Sequence, residues 1–260
     1  MSNGIYGRRT IFVLRPSLLL LASTSFAFTA RSQDADSTRS RTVVAGAVTA
    51  TNNGIATVPS FTLGKPAAIF DMSVIRNRFS LDPQIKYALD GKPWSFIFWG
   101  HYIVADGERF RVIIGAHPGV NFRTTTVSVN QTQKEVIVAR RYVAGDIYPS
   151  YSVSRYVSVG AYYLYSYGVE GDVAKHNHFL ALRSTLSSTL LPGGYFVQVL
   201  PQVYYLKVDT SEGYYLYSGL AVGKRNFPLS IGAIVNKVIQ TGVPGSEDFL
   251  WNLSVTYWIR

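Results

Sequence analysis

The chain has 260 residues, 47% of them hydrophobic and 14% aromatic, with 15% charged and no cysteine. No disulfide framework, thiolate metal site or cysteine nucleophile can be built from it, and a chain this aromatic and this poor in charge is not disordered over most of its length. The formal charge of +10 overstates any affinity for nucleic acid: Arg8, Arg9, Arg15 and Arg31 all precede the first acid, Asp34, and the rest of the chain has 21 basic residues against 15 acidic.

The first element is an address. Arg8 and Arg9 precede an apolar run, Ile11 to Ala30, whose uninterrupted part starts only after Pro16. A membrane-spanning helix needs about 20 apolar residues, and this run is shorter. A basic start, a short apolar stretch and small residues at its end predict a signal peptide over residues 1–32, cleaved after Ala27 or Ser32. The protein is therefore expected to be exported without a helical anchor. Residues 33–53, rich in Ser, Thr, Asp and Arg, are expected to form a flexible lead-in.

From residue 54 to residue 260 the pattern has period two, the signature of strands with one buried face. It predicts about twelve strands, near 54–63, 66–75, 78–89, 92–104, 109–120, 134–147, 153–167, 176–190, 195–208, 213–224, 228–239 and 248–260. In the last, Phe249, Trp251, Leu253, Val255, Tyr257 and Ile259 share one face, with Asn252, Ser254 and Thr256 on the other. Two tight turns, Arg76-Asn77 and Asp90-Gly91, test the parity. With either in place, the apolar face of one strand meets the apolar face of the next, and a slip of one residue destroys the match.

A soluble sandwich alternates too, but its open face should be charged. Here the polar face is mostly Ser, Thr, Gly, Asn, Gln and Tyr, which suits a crowded barrel interior, and aromatics gather at strand ends as in membrane girdles. The fold class predicted is all-β: a closed, antiparallel, up-and-down transmembrane β-barrel. The longest connections, 121–133, 168–175 and 240–247, fall on one side and the short turns on the other. That is the outer-membrane arrangement, with both termini periplasmic.

Two stretches carry a family resemblance. The terminal run from Phe249 to Arg260 resembles the strand by which barrel-assembly machinery recognises its clients, although Arg260 stands where that pattern ends in an aromatic. The runs Thr51-Asn52-Asn53-Gly54-Ile55, Phe61-Thr62-Leu63-Gly64-Lys65-Pro66-Ala67-Ala68 and Leu89-Asp90-Gly91-Lys92-Pro93-Trp94 resemble an uncharacterised outer-membrane barrel family of Bacteroidota. The resemblance implies location and fold, with lipid and the assembly machinery as partners, and no activity.

The expected register places Asp71 opposite Asp82, with Lys86 on the same face and Trp99 and His101 beside them. A turn at Asp106-Gly107-Glu108 adds Arg109, Arg111 and His117 to the lumen. Two facing carboxylates repel unless a proton or cation intervenes. These seven titratable residues are the candidate lumen site: an internal network of ion pairs on the plain reading, a selectivity constriction on the functional one. The function expected is a narrow channel for small solutes. The alternative is a plugged barrel with a structural or surface-binding role through its outer loops. A lipid-acting hydrolase using His101 or His117 needs a serine and an orienting group within reach, and no local signature marks one. Neither enzymatic activity nor a cofactor is predicted. His176 and His178 share a strand face, but a His pair without carboxylates is ordinarily polar surface.

Overall fold

The computed structural model describes residues 42–129 and 132–259. The predicted signal peptide and both of its cleavage points lie outside the described residues. The described chain forms twelve strands closed into one barrel, each hydrogen-bonded to its sequence neighbours, with the last pairing to the first. In order they are β1 (Thr42–Thr51), β2 (Ala67–Arg76), β3 (Phe79–Ala88), β4 (Pro93–Asp106), β5 (Phe110–Val129), β6 (Thr132–Ser152), β7 (Val157–Gly168), β8 (His176–Leu191), β9 (Tyr195–Val208), β10 (Ser211–Lys224), β11 (Leu229–Thr241) and β12 (Phe249–Ile259). Every pairing is antiparallel. Among the described residues no helix is long and apolar enough to cross a membrane.

The alternation seen in the sequence is the inside–outside alternation of the wall. On β12, Phe249, Trp251, Leu253, Val255, Tyr257 and Ile259 are each about half exposed, while Leu250, Asn252, Ser254 and Thr256 between them are buried. The same holds around the ring: Phe70, Leu81, Phe98, Val143, Leu182, Val203, Leu216 and Ile231 all point outward and lie open. Water would not tolerate an apolar surface of this extent. A bilayer requires it, and closure leaves no unpaired strand edge in the lipid.

Three expectations are corrected. The first strand is β1, Thr42–Thr51, inside the stretch expected to be a flexible lead-in. Its inward Ala47, Thr49 and Thr51 are small, so its alternation is faint. Segment 54–63 is not a strand. It belongs to the loop between β1 and β2, which makes a short 3-10 turn at Pro59–Phe61. Finally, the described part of 121–133 is strand: β5 runs on to Val129 and β6 starts at Thr132, pairing from Phe110↔Tyr151 to Val129↔Thr132. β4 leaves β5 at Asn121 and β7 leaves β6 at Tyr142, so the remainder is a two-stranded ribbon rising roughly 25 Å above the wall. A ribbon with two solvated faces needs no alternation, so its sequence shows none.

The turn between β2 and β3 is centred on Asn77 and Arg78, with Arg76 paired to Phe79. Asn77 adopts φ 55, a conformation that Asn tolerates better than other residues with a Cβ. The register is therefore two residues from that expected. Parity survives, so each side chain keeps its face, but the opposite partners change. From Phe79 to Lys86 the β3–β4 register is as expected, with Phe79↔Tyr102, Leu81↔Gly100 and Asp82↔Trp99 paired; between Lys86 and Tyr87 an irregularity shifts it by one, so Leu89 does not pair with Lys92.

Candidate functional site: a plugged lumen with a polar network

At the end carrying the longer connections, loop 52–66 turns into the barrel. Ala56 and Leu63 pack against Ala67, Ile69 and Trp94 on the β2–β4 side. Val58 packs against the cluster of Tyr162, Phe179, Ala181, Tyr204, Leu206, Tyr215 and Val243. That cluster rests on β7–β10 and on the loop before β12, across the ring from β3. The loop therefore bridges opposite walls. Its path is pinned by Gly54, whose N–H donates to Lys65 O at 2.9 Å, and by Trp94, whose indole N–H donates to Phe61 O at 2.7 Å. The Phe61 ring meets Tyr142 edge-on at 4.8 Å. Pro59 and Trp94 are buried.

Below this plug, the wall from β2 to β7 carries a line of polar groups. Ser73 and Ser80 both donate to Asp82, the latter at 2.7 Å. His101 Nδ1 lies 2.9 Å from Asp82 Oδ2, and its Nε2 faces Asp146 Oδ2 at 3.8 Å. Tyr162 then donates to that same Asp146 oxygen at 2.8 Å. Strand pairing builds this line: Ser80↔His101, His101↔Gly115 and Gly115↔Asp146 are successive cross-strand partners, so one row of backbone hydrogen bonds carries the network.

Gly115 is what allows it. A Cβ there would sit 2.3 Å from His101 Cδ2 and 2.5 Å from Asp146 Oδ1. The absence of a side chain on β5 lets β4 and β6 reach across it. Trp99 covers the network, stacking on His101 at 4.9 Å and tilted against His117 at 3.9 Å.

Of the seven residues predicted for the lumen, five face the interior wall. Asp71 and Asp82 do not face each other. Gln84 stands opposite Asp71 and donates to it at 2.6 Å, while Asp82 is held by two hydroxyls and an imidazole. The repulsion expected from two facing carboxylates does not arise. Lys86 is buried, 2% exposed, with its ammonium 4.9 Å from the Trp94 ring. His101 and His117 face inward as described. Arg111 points inward only at the rim, where its Nε and Nη2 donate to Asp106 at 3.0 and 2.8 Å. Arg109 is exposed in the turn between β4 and β5 and takes no part in the network.

Asp146, Tyr162 and Gly115 also belong to the network, and no pattern in the sequence marks them. Their place depends on the β4–β5 register, which shifts between Ile103 and Ala105. The opposite wall holds amides and aromatics. Tyr204 stacks on Tyr215 at 4.7 Å and 8° and donates to Asn236 at 3.1 Å. Asn252 accepts from the Ile234 N–H at 3.1 Å and donates to Asn53 O at 3.0 Å. His176 and His178 point outward at the aromatic rim, 2.8 and 2.9 Å from the hydroxyls of Tyr165 and Tyr163.

No protein-family model matches the sequence, and no curated protein does. Among solved structures, the chain is similar to a KdgM porin in complex with disordered oligogalacturonate: TM-score 0.49, 12% identity, 85% of this chain and 100% of that one. It is also similar to LpxR from Salmonella typhimurium, with TM-score 0.48, 12% identity, 83% of this chain and 100% of that one. A third is OmpT, an outer membrane protein of Vibrio cholerae, with TM-score 0.36, 9% identity, 84% of this chain and 97% of that one. At these levels the likeness extends to the barrel architecture alone.

Proposed function

We propose that this chain is an outer-membrane barrel that acts as a narrow small-solute channel, shut at its loop end by its own first loop. The observation that carries the reading is the bridge made by loop 52–66, with Ala56 and Leu63 on one wall and Val58 on the wall across from it. The plug sits between two walls rather than within one, so its removal leaves a gap. Beneath it lie the inward charges that give a constriction its ionic preference.

An outer-membrane location is supported by the lipid-facing belt, by barrel closure and by the predicted signal peptide. The longer connections and the β5–β6 ribbon would face outward and the tight turns the periplasm. A passive role agrees with the chemistry of the network. Ser73 and Ser80 give their hydroxyl protons to Asp82, not to His101, so neither is activated as a nucleophile.

Single-channel conductance in a planar bilayer tests the proposal. The folded mature protein is expected to be silent for most of the record, and a variant lacking residues 55–63 to give discrete, reproducible steps. A loop-shortened variant that is folded, inserted and silent overturns the gated channel. It would leave the plugged barrel acting through its outer ribbon and loops.

A further inference from the structure

On β8, Arg183 points into the lumen below the aromatic plug. Its guanidinium stands over the ring of Tyr162 at 4.5 Å and near that of Tyr148 at 5.2 Å. Stacking satisfies its faces but none of its N–H groups. Nε and Nη2 are out of contact with solvent and have no hydrogen-bond partner. Among the described residues no carboxylate comes within 4.0 Å of it. Asp146, the acid on the neighbouring network, has one oxygen engaged by Tyr162. Of the three described arginines that are not fully exposed, Arg111 and Arg140 are ion-paired to Asp106 and Asp172, and Arg183 alone is not. Such a group is unfavourable unless something satisfies it.

The surroundings indicate what that something is. Cross-strand pairing puts Ser150, Gly160, Arg183, Gln202 and Tyr217 in one row. The next row toward the tight-turn end is Ser152, Ser158 and Thr185, partnered in turn, and beyond it Ser187 pairs with Gln198. Gln202 is buried, and the other hydroxyls and the Gln198 amide are partly exposed. No inward position of β7–β10 between Arg183 and the turn end carries an Asp or Glu. Above Arg183 lie the rings of Tyr148 and Tyr162, with Tyr217 in its own row. The inward positions of β7–β10 on the turn side of Arg183 are neutral, hydroxyls and amides with Leu200 and Phe196 among them, and a guanidinium without an anion at their head suits a small oxyanion.

We infer that Arg183 is the anchor of an anion site reached from the turn end of the barrel, taking a carboxylate or phosphate group. The planar guanidinium matches either oxyanion through two parallel N–H donors, and the hydroxyls and Gln202 supply further donors at the approach. The site needs only the turn end to be open. It therefore stands or falls separately from the gating of loop 52–66, and anion binding is read on the closed protein.

The test is calorimetric titration of the detergent-folded protein, at low ionic strength, with inorganic phosphate in one series and acetate in another. One saturable site is expected for at least one of the two; the series that binds identifies the oxyanion geometry preferred. Arg183→Gln is expected to weaken binding at least ten-fold, while Arg111→Gln, at the ion-paired rim, leaves it unchanged. If Arg183→Gln loses the resistance to SDS unfolding that marks a formed barrel, Thr185→Phe serves instead: it keeps Arg183 and blocks the approach, and should abolish binding. Absence of saturable binding to the wild type overturns the site. So does binding that survives Arg183→Gln or Thr185→Phe undiminished.

Discussion

The two sides of the lumen solve the same packing problem by different means. From β2 to β6 the interior is charged, and order comes from directed contacts: two hydroxyls and an imidazole on Asp82, a tyrosine hydroxyl on Asp146, and a glycine between them that costs nothing in space. From β7 to β10 it is mainly aromatic, and order comes from area: Tyr162, Phe179, Tyr204 and Tyr215 form a chain of ring contacts, against which Val58 of the plug packs. The aromatic side therefore contributes buried area and gives loop 52–66 its seat at Val58. The charged side sets its interior field and tolerates little movement.

Substitutions separate the two sides. The largest effect is expected from Tyr204→Ala, which removes a stacked ring and its hydrogen bond to Asn236. Loss of a buried aromatic costs about 3–5 kcal/mol, read as a lower denaturant midpoint for the folded barrel. On the charged side, Asp82→Asn gives up a charge-assisted contact with His101, worth about 1.5–3 kcal/mol. In a loop-shortened, conducting variant it should also reduce cation preference, measured as a shift in reversal potential across a salt gradient.

Gly115→Ala adds one methyl where none fits, at about 1–3 kcal/mol. It should disturb the His101 imidazole signals in NMR before it disturbs the barrel. Arg111→Ala, at the solvent-washed rim, should cost under about 1 kcal/mol; a larger loss would mean that the charged network extends to the rim. The smallest effect lies outside the lipid. Glu170 accepts from the Arg141 side chain at 2.5 Å and from its backbone at 2.7 Å, which holds its carboxyl below the ordinary glutamate range. The contact is therefore intact at neutral pH and above. It is lost as pH falls through that lowered value, which limited proteolysis of loop 169–175 at acid and neutral pH would show.

Much of this architecture was legible in the residues. Inside and outside follow from parity alone, and parity is robust: moving the turn to Asn77–Arg78 changed the partner of Asp71 without changing its face. The β3–β4 register was legible because Asp90 and Gly91 mark their turn, and Gly91 adopts φ 84 there. β1 was not, because a strand lined by Ala47, Thr49 and Thr51 lacks the bulky alternation of its neighbours. Nor was the plug, since Pro59 and Val58 look the same in a loop outside the barrel as in one folded into it. The candidate site was half visible. Asp82 and His101 follow from one register, but Asp146 and Arg183 need four more pairings, one of them shifted by an irregularity at Ile103.

The seam where the ring closes has a kinetic meaning. Thr49 and Thr256 meet at 2.8 Å although 207 positions separate them in the chain, and β1 and β12 are in register from Gly46↔Ile259 to Thr51↔Ser254. All other strand pairs join sequence neighbours and can zip locally. Closure alone must wait for a chain-long loop to find its ends, and long-range pairing is the slow step of folding. Until it occurs, two unpaired strand edges face the bilayer. Pairing of β12, with its outward row from Phe249 to Ile259, to β1 is the contact that removes both edges.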